Sequence, residues 1–437
     1  MKALFTMALL LFLLAEMKLA AQDVADTVAQ KKEFTIAAEI RPRTEYRHGY
    51  RQLIPDTSNA AFFTDQRSRL YVTYKTNRFI FHTSLQDVRV WGGQDPVSID
   101  GTVQIFESYV EPSLSDKISV RIGRQKIMYD NQRLFAENNW RQTGRSHEAV
   151  RFMYHGKKLE ADLIGAFNQK RLAFDRNFET DYYPGFLNYK FLFANFIKWK
   201  PTDNFTLTTI NASDGFQDDS SARENHFRFT SGGRLEFTQN KLYVTVAAYY
   251  QYGNTRTGQD LNAYYVQPEI KLEISKPLMV RLGAELMSGN DATQKSSTSH
   301  SFDPLYGVNH RFMGSMDYFT RFPVDVNNAG LLNPYLFIFY NVSKKVTLRA
   351  DQHLFYSQND FVKKEKVIPR YLGFENDLLF IYNPNKFTEL QLGYSYMLAT
   401  QSMQDIKKIG NYKNWQDWAY LMITFTPELF HWQSAAK

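Results

Sequence analysis

The sequence predicts an all-β fold, a transmembrane antiparallel β-barrel of about eighteen strands with short periplasmic turns and long extracellular loops. Three observations predict it. Segments in which apolar and polar residues alternate with a period of two recur along nearly the whole chain. The connections between them alternate between tight and long. The composition joins a polar average, mean hydropathy -0.44, to 16% aromatic residues, with 35 Phe and 27 Tyr. One soluble core does not consume that many rings, whereas a barrel with a lipid-facing exterior, aromatic girdles and a polar lumen needs both properties at once.

Residues 1–21 combine an early Lys2, an apolar run from Ala3 to Ala15 and small residues at Ala20 and Ala21, the pattern of a cleaved secretory signal peptide. Residues 22–32 are expected to form a short periplasmic segment, 33–427 the barrel, and 428–437 a C-terminal tail. After the signal segment no apolar run is long enough for a membrane helix, so any crossing must be made by strands. Cys is absent, which removes disulfides and thiolate chemistry. Lys plus Arg total 52 against 45 Asp plus Glu, a mild excess that does not suggest a nucleic-acid partner.

The first strand, Phe34 to Arg47, sets the rule: Phe34, Ile36, Ala38 and Ile40 share one face, and Glu39, Arg41, Arg43, Glu45 and Arg47 share the other. The pattern returns at Arg67 to Lys75, Phe79 to Trp91, Val103 to Leu114 and Ile118 to Gly123. It recurs at Ala149 to Tyr154, Leu159 to Asn168, Phe191 to Trp199, Phe205 to Asn211, Phe227 to Thr238 and Leu242 to Gln251. It continues at Val266 to Ile274, Leu278 to Met287, Tyr335 to Val342, Val346 to Tyr356, Arg370 to Tyr382, Glu389 to Leu398 and Trp418 to Phe425. Tight connections carry turn chemistry, as at Thr76-Asn77, Gly156-Lys157, Asn240-Lys241 and Pro384-Asn385. Long ones lie at His48 to Phe62, Asp130 to Gly144, Leu172 to Pro184, Phe216 to Arg223, Asn290 to Gly330, Gln358 to Lys366 and Ser402 to Tyr412. Greek-key sandwiches have no reason to alternate in this way, and no propeller repeat is present. Two parity breaks are visible. In Phe79 to Trp91 the apolar set changes face after Leu85, which predicts a bulge near Gln86 or Asp87. Arg124 falls on the parity of Ile122, so either Gly123 sits at a bulge or Arg124 lies above the membrane.

The densest polar stretch lies between Lys117 and Tyr154. It contains Gly123, Arg124, Gln125, Tyr129, Asp130 and Arg133, then Trp140, Gln142, Arg145, His147, Glu148 and Ala149. This wording, GRQ-x-x-x-YD-x-x-R followed by W-x-Q-x-x-R-x-H-(D/E)-A, resembles the alginate export family of outer-membrane β-barrels, with Glu148 where the family more often has Asp. A second stretch also fits: Gly307, His310, Phe312, Gly314, Met316, Asp317, Tyr318 and Phe319. The resemblance implies an outer-membrane channel for anionic polysaccharide or oligosaccharide, with loops that narrow the pore. A general diffusion porin or small-anion uptake channel, and a structural or adhesion barrel with a plugged lumen, are the alternatives on the same fold. The expected partners are outer-membrane lipid and lipopolysaccharide, the anionic saccharide, and periplasmic export proteins.

An enzyme is not expected. No Gly-x-Ser-x-Gly elbow or His-Glu-x-x-His motif occurs, and His147 and Glu148, as strand neighbours, point to opposite faces. No cofactor is implied. Asn211, Asp214, Asp218 and Asp219 offer oxygen ligands without EF-hand spacing, so a solvated loop is preferred to a Ca²⁺ site. Lys363, Lys364 and Lys366 are expected in an outer loop. Assigning the polar parity to the lumen places Arg41, Arg43, Arg47, Arg67, Arg69, Arg121, Arg151, Arg228, Arg234, Arg281 and Arg349 there, together with Glu39, Glu45, Glu107, Glu111, Asp162, Glu236, Glu285 and Asp351; the motif residues Arg124, Gln125, Tyr129, Asp130, Arg133, Trp140, Gln142, Arg145, His147 and Glu148 are expected along the same substrate path. Such guanidinium groups either pass a carboxylate along weak sites or form charge pairs that stiffen the wall. The longest loop carries Phe302, Leu305, Tyr306, Phe312, Met313, Met316, Tyr318, Phe319 and Phe322, too much apolar surface for free solvent. It is expected to pack into or across the mouth as a gate, with His310, Phe312, Asp317, Tyr318 and Phe319 in its motif.

Overall fold

In the computed structural model, which describes residues 31–97, 101–169, 188–218 and 224–434, eighteen antiparallel strands close on themselves. They are β1 Glu33–His48, β2 Ala61–Lys75, β3 Phe79–Val90, β4 Gln104–Pro112, β5 Ile118–Gln125 and β6 His147–His155. There follow β7 Leu159–Phe167, β8 Phe191–Thr202, β9 Phe205–Gln217, β10 Asn225–Gln239, β11 Leu242–Asn254 and β12 Asp260–Glu273. The circuit ends with β13 Leu278–Met287, β14 Leu331–Asn341, β15 Val346–Ser357, β16 Tyr371–Asn385, β17 Thr388–Ala399 and β18 Gln416–Phe425. Each strand pairs with its sequence neighbours, and β1 pairs with both β2 and β18. The sheet therefore has no long free edge, and every wall strand finds its hydrogen bonds within the wall.

The period-two pattern sorts the side chains as the sequence implies. Ile40, Leu70, Ile122, Leu163 and Leu282 point outward and are exposed, whereas Arg41, Arg67, Asp162 and Glu285 point inward and are buried. Inward polar groups can be buried only if something fills the barrel. That filling comes from the third loop (126–146, between β5 and β6) and the seventh (288–330, between β13 and β14), whose Phe135, Phe302, Tyr306, Met313, Tyr318 and Phe319 form the hydrophobic core. The core of this molecule thus lies inside the barrel.

Two expectations are corrected here. The irregularity beside β3 lies on its partner. Register with β2 is unbroken from Ile80 to Val90, whereas against β4 it slips between Ser84/Glu107 and Leu85/Ile105. The extra residue is Phe106, which turns inward beneath the Arg69 guanidinium, 3.5 Å from the ring centroid. Asp87 and Arg89 consequently occupy outward positions and pair with each other at 2.6 Å. Secondly, residues 428–433 are not a tail: after a break at Pro427 the chain resumes as a strand, Glu428–Gln433, paired with β1 down to Glu33↔Gln433. The ninth loop, long as expected, contains helix α1, Gln401–Lys407, whose N-cap Thr400 accepts a hydrogen bond from the Met403 N–H. The proposed signal segment and the loop from Leu172 to Pro184 lie outside the described residues.

Candidate functional site

The third loop leaves β5 and crosses the lumen. Asp130 accepts a hydrogen bond from Thr208 of β9 at 2.9 Å, Asn131 donates to Gln267 of β12 at 3.0 Å, and Arg133 meets Glu285 of β13 at 2.7 Å. It then returns to the opposite wall, where Gln142 accepts from Arg41 at 2.8 Å and donates to Asp65 at 2.6 Å. The seventh loop lies against it as a short ladder, with Tyr306 N–H donating to Leu134 and Ala136 N–H to Tyr306. Glycine is required at the next step, since a Cβ on Gly307 would stand 1.8 Å from the Arg133 carbonyl oxygen. The two motif stretches meet directly: the rings of Trp140 and His310 stack at 4.0 Å, and Arg43 covers Trp140 at 4.3 Å.

Two of the cavities between wall and loops are lined by motif residues. Toward the loop end a space of about 30 Å³ is lined by Arg51, Asn138, Trp140, Arg141, Arg145, Asp303 and His310 among others, room for one or two water-sized groups. Toward the turn end a space of about 570 Å³ is lined by Asp130, Arg151, Asp162, Arg234, Glu236, Arg281 and Arg311 among others.

The inward arginines are mostly neutralised where they stand. Arg43 meets Glu45 and Asp65, Arg67 meets Glu39, Arg121 meets Glu111, Arg151 meets Asp162, Arg234 meets Glu236, Arg281 meets Glu269 and Arg349 meets Asp351. Such pairs leave dipoles in place of net charges, so a positive field built on Arg121, Arg151, Arg281 and Arg349 is not what the wall presents. Arg41 and Arg69 have no carboxylate partner among the described residues, but both are capped by the third loop, through Asn139 and Gln142 and through Thr143. Arg124 and Glu148 are corrected as lumen residues: they pair with each other on the outer surface, Arg124 half-buried and Glu148 exposed. Gly123, at φ +126, sits so close to β4 that a Cβ would lie 2.3 Å from the Ser108 carbonyl oxygen. His147 faces inward instead, where its Nδ1 contacts the Tyr189 hydroxyl at 2.9 Å.

Three other guanidinium groups reach the cavities without a carboxylate partner among the described residues. Arg141 and Arg145 line the loop-end cavity and Arg311 the turn-end one. Burial holds Arg145 down to about 10, assisted by the neighbouring Arg141 charge. Burial likewise lowers Arg141, with Arg51 repelling it, and lowers Arg311, with Arg281 and Arg349 repelling it. Cationic groups crowded in this way gain by taking up an anion. Arg141 and Arg311 were not singled out from the sequence. Each occupies an unspecified position inside a motif, between Trp140 and Gln142 and between His310 and Phe312, so position within the motif loops was the available signal.

Acidic loop groups flank them. Asp317 is held by His310 at 2.7 Å, by Arg51 at 3.3 Å and by the Tyr50 hydroxyl; burial opposes its ionisation, but His310, Arg51 and Tyr50 outweigh it and keep the carboxyl below its ordinary range. Asp130 has no such cation at contact distance, and burial pushes it up to about 6. Among the described residues no group of His, Asp and Glu could hold a metal ion; Asp214 is taken up by Arg228 at 2.6 Å. Lys363 pairs with Asp405 of α1 at 2.6 Å.

The alginate export family model matches residues 28–399. No curated protein matches the sequence. Among solved structures, Acinetobacter baumannii OccAB4 superposes with a TM-score of 0.60 at 11% identity, covering 92% of this chain and 99% of that one. Pseudomonas aeruginosa OpdL gives 0.61 at 10% identity, with 91% and 99% covered. Pseudomonas aeruginosa OpdK, solved with vanillate, gives 0.57 at 9% identity, again with 91% and 99% covered. At these identities the likeness is one of fold.

Proposed function

Because the chain belongs to the alginate export family of outer-membrane β-barrels, we propose that this outer-membrane channel passes small acidic solutes, acidic sugars and short acidic oligosaccharides among them, around or through the junction of the third and seventh loops. One observation carries the reading: Arg141 and Arg145 on one side of the plug and Arg311 on the other face cavities without carboxylate partners among the described residues, while most wall arginines are paired with carboxylates and Arg41 and Arg69 are capped by the third loop. An unpaired guanidinium can hold a carboxylate through two parallel N–H donors. One on each side of a constriction gives sites that fill and empty in turn.

The loop-end cavity, about 30 Å³, is too small for a sugar ring, so every saccharide needs the loops to shift, and a small acid or a single sugar needs a smaller shift than a polymer does. Export of an anionic polysaccharide is the second reading, favoured by the family match, and it requires the two loops to withdraw together. Reversal potentials in planar bilayers, followed by block with uronic acid monomers, dimers and longer oligomers, test the proposal. Anion selectivity with block by the monomer supports small-solute passage. Block that appears only with long chains supports the polymer, and a barrel without conductance would favour a structural role. The signal segment directs this chain to export, and its cleavage near Ala21 or Gln22 is read from the N-terminal residue of the mature protein.

A further inference from the structure

Glu375 and Asp377 stand two residues apart on β16, so both side chains enter the lumen, and both are almost wholly removed from water. Each holds the seventh loop by one oxygen: Met316 N–H donates to Glu375 Oε1 at 2.8 Å and Ser315 N–H to Asp377 Oδ2 at 3.2 Å. The loop backbone comes this close because residue 314 is glycine, at φ +82, where a Cβ would lie 2.5 Å from a Glu375 carboxyl oxygen. The remaining oxygens, Glu375 Oε2 and Asp377 Oδ1, are buried without a partner.

No Lys or Arg pairs with either carboxyl among the described residues. The groups facing them are few and mostly committed. His353 of β15 stands 4.0 Å from Asp377, and its Nδ1 is engaged by Asn333 of β14. Asp351, opposite Asp377 in register, is bound to Arg349. Ser395 of β17 lies opposite on the other side. Tyr420 of β18 and, from the seventh loop, His310, Asp317 and Tyr318 complete the surroundings. Two adjacent anions in such a dry place would repel each other without compensation.

We propose that Glu375 and Asp377 share one proton, and that this proton latches the seventh loop inside the barrel. The two carboxyls lie within hydrogen-bonding reach of each other, so a hydrogen shared between them removes one charge and bonds the pair, as expected of coupled carboxyls. Transfer of that proton to water leaves two anions side by side. Their repulsion separates the carboxyls, withdraws the acceptors from Ser315 and Met316, and frees the loop to swing toward the mouth. Re-acidification restores the latch.

The inference rests on the chain being a channel, but conductance reads it, whereas reversal potential reads anion preference; either can fail alone. The test is single-channel conductance from neutral to strongly alkaline pH in the wild type, Glu375→Gln and Asp377→Asn. The wild-type conductance should rise several-fold with pH. In Glu375→Gln the amide keeps the acceptor for Met316 and supplies a permanent N–H to Asp377, so the rise should vanish and the channel stay narrow. Glu375→Ala, which cannot latch, should be wide at every pH. A wild-type conductance that ignores pH, or a rise that survives in both Glu375→Gln and Asp377→Asn, overturns the proposal. The chain has no Cys, so Ser315→Cys adds an independent readout. At one alkaline pH its modification by a membrane-impermeant thiol reagent should be several-fold faster with Glu375 than with Gln at that position, and equal rates would also count against the latch.

Discussion

Arg133 of the third loop and Glu285 of β13 meet at 2.7 Å deep in the lumen, their side chains 2% and 1% exposed. The Tyr265 hydroxyl donates to the same carboxylate oxygen at 2.7 Å, and Arg133 reaches on to the Val308 carbonyl and Asn309 of the seventh loop. One guanidinium thus ties wall, third loop and seventh loop together. Removing one member of a buried pair strands the other charge and costs about 3–5 kcal/mol, whereas replacing both by apolar groups can be neutral. Arg133→Met should therefore loosen the plug, raise conductance and lower the temperature of heat-modified gel migration. The double replacement Arg133→Met with Glu285→Leu should recover much of the stability. Equal loss in the single and double variants would show that the pair does not hold the loops.

Selectivity should follow the unpaired cations. Arg141→Gln with Arg145→Gln is expected to weaken anion preference in reversal-potential measurements, and Arg311→Gln to do so by itself to a smaller extent. The effect should fade as the Debye length shortens from about 10 Å at 0.1 M salt to about 3 Å at 1 M. Arg124→Gln serves as the control, because that side chain pairs with Glu148 on the outer surface and should leave the potential unchanged. A wild-type channel selective for cations would remove these residues from the solute path.

The pH dependence of selectivity has a definite sign. Asp130 lines the turn-end cavity and burial raises it to about 6, so its carboxyl is charged above that pH and neutral below it. Anion preference should increase as pH falls through about 6, and Asp130→Asn should show the acidic behaviour at every pH. The stability contributed by docking this loop changes in the same window. A raised carboxyl binds its proton more tightly when docked than when released, so docking weakens as pH rises from the ordinary carboxylate value to about 6. A profile that is flat in the wild type, or unchanged in the Asn variant, would assign the titration elsewhere.

Shortening the seventh loop should separate plug from wall. Residues 303–322 contribute no rung to the barrel ladder, since β13 and β14 pair directly from Leu278↔Tyr340 to Met287↔Leu331. Replacing that segment by a short Gly-Ser linker is expected to widen the channel while heat-modifiable migration persists. An unaltered conductance would place the limiting constriction in the third loop.

The barrel itself was legible without coordinates because its determinants are local. Alternation along Phe34 to Arg47, turn residues such as Asn240-Lys241 and the aromatic content each follow from one strand meeting lipid on one side and the lumen on the other. The wall strands had no competing environment to satisfy. The exceptions were local as well. The bulge moved to Phe106 because either partner can absorb an extra residue, and the last strand ran on to Gln433 because pairing with β1 outweighs a break at Pro427. The motif residues were also legible as a group, and Trp140, Gln142, His310 and Asp317 do gather at the plug.

What the sequence could not decide is which charges are free. Parity places Arg121, Arg151, Arg281 and Arg349 on the inner face; Arg349 has Asp351 two residues along its own strand, but whether each of the others meets a carboxylate depends on register across strands and on loops crossing the lumen. Arg281 meets Glu269 from the neighbouring strand, and Arg133 meets Glu285 more than a hundred positions away. Coulomb energy depends on distance in space, and burial depends on what fills the barrel; neither is a property of a strand. The alternating pattern therefore determined the wall by itself. Only the folded loops decided that, among the described residues, Arg141, Arg145 and Arg311 have no carboxylate partner, that Arg124 turns outward, and that no Lys or Arg reaches the neighbouring carboxyls of Glu375 and Asp377.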